Sequence, residues 1–188
     1  LICPENPELR TRDLVVMWGS IEDEPFYFLV SHWPSRRGGQ YASAYLREAC
    51  AEYKKRLGAW CKLEEIILKE ERLPENPSQA QIDKALEAEA KRIFEKSSPR
   101  SYVIAMCVEG KQLSSPELAD KLEEISSRTS DICFIIGSSF GLADAVKQRS
   151  DLRLSVSKLT FPHQLMRVIL LETVYRAFNI QKGTRYHK

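Results

Sequence analysis

An α/β fold is predicted by three features of the chain. Strand-length apolar runs alternate with amphipathic helical runs along its second half, as SYVIAMCV, SSPELADKLEEISSR and DICFIIG show. The strand runs are almost wholly apolar, as strands become when helices cover both faces of a parallel sheet. The intervening helix opens on a serine with an acid three residues later, a capping-box signal.

Taken in order, DLVVMWGS and PFYFLVSHW read as two strands around the acidic turn IEDE, in a hairpin-like arrangement, followed by the loop PSRRGGQ. AYLREACAEYKKRLGAW places Tyr45, Leu46, Ala49, Tyr53 and Leu57 at helical spacing, and Gly58 stands where a helix would stop. KLEEIILKEE is a strand. The prolines of PENPSQAQ break the chain before QIDKALEAEAKRIFEKS, a helix with Ile82, Leu86, Ala90 and Ile93 on one face and its charges assigned to a solvated surface. After DICFIIG come the short helix GLADAVKQR, the strand or loop LRLSVSKLT and the long apolar-rich helix HQLMRVILLETVYRAFNI.

At 188 residues, with 43% apolar and 29% charged residues, the chain has the composition of a globular protein able to bury a sizeable core. No apolar run approaches the roughly 20 residues of a membrane span, so no membrane partner is expected and the location is read as cytoplasmic. The opening LICPENPEL has neither the basic start nor the apolar stretch of a signal peptide and reads as a chain entered midway. Five scattered cysteines form no C-x-x-C pair and no metal-ligand spacing, so they read as small buried hydrophobes, and no metal is expected. A net charge of +2 does not diagnose a nucleic-acid partner.

Ligands of open parallel sheets gather beyond the carboxyl ends of the strands, which directs attention to EGKQLSS, GSSFG and SVSKLTFPH, the segments after Val108, Ile136 and Leu154. Gly110, Gly137 and Gly141 would allow close backbone approach there. GSSFG is not a dinucleotide fingerprint, no phosphate-binding P-loop motif exists, and His32, His163 and His187 join no nucleophile elbow. His163, after Pro162 at the mouth of the long helix, fits loop packing or capping better than catalysis.

FIIGSSFGLADAV, LRLSVSKLTFPHQLMRVILLETVYRAFNI and the terminal KGTRYHK, in that order, resemble the RlmH family of SPOUT methyltransferases, and the similarity runs from about residue 41 to 188. The resemblance implies an α/β-knot fold with a parallel sheet and a C-terminal trefoil knot, a rare exception to unknotted topology. It implies S-adenosylmethionine as cofactor, held by the backbone at Met106, Gly137, Val156, Ser157, Lys158, Leu159, Thr160 and Phe161. It further implies a homodimer that methylates N3 of a pseudouridine in the 23S RNA of the large ribosomal subunit or assembled ribosome. On that analogy Tyr186 and His187 approach the target base as catalytic residues, with His187 as base or base-orienting group. Lys188 approaches the RNA, and Arg167 and Arg176 contact phosphate or anchor the tail. Three positions depart from the family: Ser138 stands for a usual glycine, Cys107 for an acid and Thr173 for a glutamine. A catalytically silent SPOUT-like dimer that binds RNA or only itself is the competing expectation.

The first forty residues form a separate, atypical segment, because the family's short opening strand is missing. RDLVVMWGSIEDEPFYFLVSHWPSRRGG is instead similar to an internal stretch of the endonuclease/exonuclease/phosphatase family, in which His32 would match a catalytic histidine. The acidic metal ligand and the other partners of that histidine have no counterparts, so nuclease activity is not expected. FYFLVS is β-prone enough to take the place of the missing strand.

Overall fold

The computed structural model describes residues 13–21, 24–31, 40–69, 71–129 and 131–187. Its elements are β1 (Asp13–Ile21), β2 (Glu24–Ser31), α1 (Gln40–Leu57), β3 (Leu63–Lys69), α2 (Gln79–Lys96), β4 (Tyr102–Gln112), α3 (Ser115–Ser126), β5 (Ile132–Ile136), α4 (Asp144–Arg149), β6 (Leu152–Ser155) and α5 (His163–Gln181). His32, the PSRRGG loop, the opening residues and Lys188 lie outside the described residues.

The strands form one six-stranded sheet in the order β3-β1-β2-β5-β4-β6. β2, β5, β4 and β6 are parallel neighbours, whereas β1 runs antiparallel to both β2 and β3. The expectation of a parallel sheet therefore holds for four strands, and the sheet as a whole is mixed. β2 pairs with β5 from Phe26↔Ile132 to Leu29↔Ile135.

β5 is buried at every position and separates two packed layers. Its alternation sends Ile132, Phe134 and Ile136 to one face, into a core with Ile104, Leu154, Leu57 of α1, Leu122 of α3 and Val174 of α5. Cys133 and Ile135 point the other way, against Ala90 and Ile93 of α2 and Val146 of α4. Cys50, Cys61 and Cys133 are buried and, with half-buried Cys107, are free thiols.

Both α2 and α3 begin in reciprocal capping boxes, Ser78 with Gln81 and Ser114 with Glu117, and α2 starts earlier than its apolar pattern suggests because Ser78 satisfies its first amides. Tyr45 is 69% exposed, and among the described side chains of α1 the buried ones are Cys50 and Leu57. On α2 the buried positions are Ala85, Glu89, Ala90 and Ile93, so Glu89 belongs to the interior and not to a solvated surface.

β4 outruns the expected end at Val108. Its register against β6 shifts between Met106 and Lys111, and the ladder resumes at Lys111↔Leu154. Gly110 makes that return possible, since a Cβ there would stand 2.7 Å from the Leu154 carbonyl carbon and 2.8 Å from that of Arg153. Gly110→Ala is expected to cost about 1–3 kcal/mol through backbone displacement, a fall in Tm of roughly 2–10 °C for a chain of this size. A thermal melt within 1 °C of the wild type would show that β4 and β6 can separate there without penalty.

Candidate functional site

The carboxyl ends of β4, β5 and β6 open into a cleft of about 360 Å³. Met106 and Cys107 line one wall, Gly137 to Leu142 the second, and Ser155 to Ser157 with Leu159 to Phe161 the third. His163 and Met166, at the start of α5, close its floor side. The parallel strands end together here, so their following segments converge whatever their own sequences.

The segment after β5 is a tight turn. The Ser138 amide donates to the Gly141 carbonyl at 3.0 Å, and the Gly141 amide donates back to Ser138 at 2.9 Å. Gly141 has φ +86°, a conformation that favours glycine, while Gly137 is required for space: a Cβ on it would lie 2.3 Å from the Gly141 oxygen. His163 fixes the same turn from below through a hydrogen bond to the Gly137 backbone. Burial nonetheless holds its imidazole below the usual pKa, so the ring is neutral near pH 7 and acts in loop packing.

The segment after β6 is ordered by its serines. The Ser155 hydroxyl donates to the Ser157 carbonyl at 2.8 Å, and the Ser157 hydroxyl accepts the Leu159 amide at 3.0 Å. Val108, Phe140 and Leu159 are exposed large hydrophobics around the mouth, Leu159 at 69%. Across the rim, Lys147 of α4 pairs with Glu109 at 2.7 Å, holding that carboxyl below its ordinary range. The half-buried Cys107 thiol is pushed up by burial and by Glu109, and so presents a neutral group to the cleft.

Of the residues singled out in the sequence, Met106, Gly137, Val156, Ser157, Leu159, Thr160 and Phe161 meet around this one cleft, and Lys158 is exposed beside it without lining it. The tail lies elsewhere in the same chain. After the turn at Gly183, Thr184 donates to Asn179 Oδ1 at 2.6 Å, and Tyr186 donates to Glu172 at 3.2 Å. The Tyr186 ring meets Tyr175 edge-on at 4.9 Å under the Arg176 guanidinium, which itself pairs with Glu172. Burial, with Tyr53 and Glu172 nearby, pushes the Tyr186 phenol up to about 12, which keeps it a proton donor. His187 is exposed. Arg167 is buried and paired with Glu65.

Two site features escaped sequence reasoning. Glu89, reaching Ser138 from α2, had a legible signal: it stands four residues from both Ala85 and Ile93 on the buried stripe. The Lys147–Glu109 pair had none, because its partners come from different elements.

A family profile described as "Predicted SPOUT methyltransferase" matches residues 38–187. The chain belongs to the SPOUT methyltransferase family. Among its relatives, the ribosomal RNA large subunit methyltransferase H of Leuconostoc mesenteroides is 49% identical over 151 residues, 80% of this chain and 95% of the relative. The proteins of that name from Clostridioides difficile and Bacillus pumilus are 48% and 46% identical over the same shares. SPOUT enzymes use S-adenosylmethionine, and the cleft fits such a group. Its volume lies in the range of small-molecule sites, roughly 300–1,000 Å³. Its walls combine apolar side chains such as Met106, Leu142 and Phe161 with the side-chain-free backbone of Gly137 and Gly141.

Proposed function

We propose that this protein methylates N3 of a pseudouridine in large-subunit ribosomal RNA, with S-adenosylmethionine as donor. The observation that carries this is the identity of 46–49% to large subunit methyltransferases H across 95% of their length. The cleft stands where the family's cofactor loops are expected. Met106, Gly137 and the backbone from Val156 to Phe161, including Lys158, hold the cofactor. The cofactor held there would supply an electrophilic methyl carbon to N3, with the electron pair of the broken S–C bond left on its sulfur. The N3 proton must first leave, and imidazole titrates in the range that can accept it.

Tyr186 and His187 do not line their own chain's cleft, which favours a homodimer in which the tail of one subunit completes the cleft of the other. In that arrangement His187 is the base or base-orienting group, Tyr186 and Arg176 anchor the tail, and Lys188 meets RNA phosphate. The trefoil knot of the SPOUT class belongs to the same proposal, as does β2 in the slot of the family's first strand. None of the helices among the described residues is long and apolar enough to cross a membrane, in keeping with a cytoplasmic enzyme that meets ribosomes.

Calorimetric titration with S-adenosylmethionine, with the oligomeric state measured in the same buffer, tests the reading. Saturable binding by a dimer and methyl transfer to ribosomes are the expected results. A folded dimer that does not bind would instead be a silent scaffold. His187→Ala is expected to lower kcat at least about 100-fold with cofactor affinity little changed, and an unaltered turnover rate on ribosomes would remove the histidine from the mechanism.

A further inference from the structure

We infer that Glu89 and Ser138 are a coupled positioning pair for the cofactor turn, through which a buried carboxylate on α2 sets the geometry of one cleft wall. The inference concerns the site proposed above, but the pair itself can be tested without cofactor.

Glu89 is 4% exposed and Ser138 3%. The Glu89 carboxylate accepts the Glu71 amide at 3.1 Å and shares a hydrogen bond with the Ser138 side chain. The same Ser138 hydroxyl lies 3.5 Å from the Gly141 carbonyl, the oxygen that closes the turn. A hydroxyl has one proton to give, so these two acceptors compete for it. An ionised Glu89 can only accept and draws the proton toward α2. A protonated Glu89 can donate to the Ser138 oxygen, which frees the hydroxyl proton for Gly141 and tightens the turn. The carboxyl state on α2 thus selects between two hydrogen-bond patterns in a segment that lines the cleft.

The ionisable groups facing Glu89 are Arg92 on its own helix and Glu71 in the segment before that helix, themselves ion-paired. Burial, the largest influence, raises the Glu89 carboxyl above its ordinary range against the opposing hydrogen bonds and Arg92. A raised folded-state pKa makes the stability contribution of protonated Glu89 present at acid pH and lost as pH climbs from the ordinary carboxylate value through the raised one.

The test uses the full chain as wild type, Glu89→Gln, Ser138→Gly and the double variant. The Glu89 carboxyl titration, followed by NMR, is expected to move upward in Ser138→Gly, because the hydroxyl that favours the carboxylate is gone. Amide exchange at Gly141, corrected for intrinsic rate, is expected to slow as Glu89 protonates in the wild type and to lose that dependence in Ser138→Gly. Glu89→Gln is expected to change S-adenosylmethionine affinity about tenfold in the wild-type background and less than about threefold beside Ser138→Gly, the signature of coupled neighbours. An unmoved Glu89 titration, or affinity changes that simply add, would overturn the pair. If the wild type binds no cofactor, the methyltransferase proposal fails, and the titration and exchange measurements still decide this inference. Ser138→Gly, the milder change, keeps them readable if Glu89→Gln does not fold.

Discussion

Gly137→Ala is expected to lower S-adenosylmethionine affinity about 100-fold, the counterpart of an overpacking cost near the top of the usual 1–3 kcal/mol. The added Cβ would meet the Gly141 oxygen at 2.3 Å, the Gly141 carbonyl carbon at 2.4 Å and the Leu142 nitrogen at 2.8 Å. All three are main-chain atoms, so no side-chain rotation relieves the contact and the turn from Ser138 to Gly141 must move. That turn is one wall of the cleft. Gly141→Ala is the informative control, since nothing lies within 4 Å of its Cβ and only its positive φ opposes substitution. A non-glycine residue there costs about 1–2 kcal/mol, so Gly141→Ala should weaken binding less. Calorimetry on both variants separates space from torsion. Binding by Gly137→Ala within threefold of the wild type would mean that the turn does not form the cofactor wall.

Strand ends could be located from the sequence because parallel strands carry their own signature. DICFIIG is apolar on both faces, and β5 is buried throughout. The next segment is then a ligand-facing turn by topology alone, which directed attention to GSSFG before any coordinates, and the resemblance then picked Gly137 from it. The end of β4 was less legible. Its apolar pattern stops at Val108, yet the ladder resumes at Lys111 because Gly110 lets two backbones approach. Hydrophobic periodicity registers side chains, and this return is made by a residue that has none. The mixed sheet escaped for a related reason: β1 and β2 were legible as a hairpin-like pair, but a hairpin does not reveal which of its strands joins β5.

Charged residues were the least legible of all. A carboxylate on a helix is assigned to solvent by default, and Glu89 is in the core because Ser138 and the Glu71 amide receive it. Arg167 was named for phosphate contact or tail anchoring on the family resemblance alone; α5 is apolar on nearly every face, so its pattern did not mark the arginine as buried. Tyr186 and Arg176, by contrast, are close in sequence, and their stacking at 4.9 Å follows from the short turn at Gly183.

The charges around Glu65, with Arg167 buried and Lys54 and Glu65 partly so, carry the largest expected stability effect. Glu65 of β3 gives one carboxylate oxygen to Lys54 of α1 and the other to Arg167 of α5, tying three elements together. Two cations share one anion, and the Arg167 Nε is buried with no hydrogen-bond partner. Removing the carboxylate leaves both cations uncompensated, so Glu65→Ala is expected to cost about 3–5 kcal/mol, a Tm lowered by roughly 6–20 °C. Arg167→Met should cost far less. It removes the cation that is 9% exposed and incompletely bonded, retains much of the side-chain volume, and leaves Lys54 and Glu65 as a one-to-one pair. The order of the two variants is the decisive quantity, because a simple loss of contacts would penalise both alike. If Arg167→Met is as damaging as Glu65→Ala in a denaturant titration, excess positive charge is not what Glu65 balances. Arg167 must then hold the fold through its guanidinium itself.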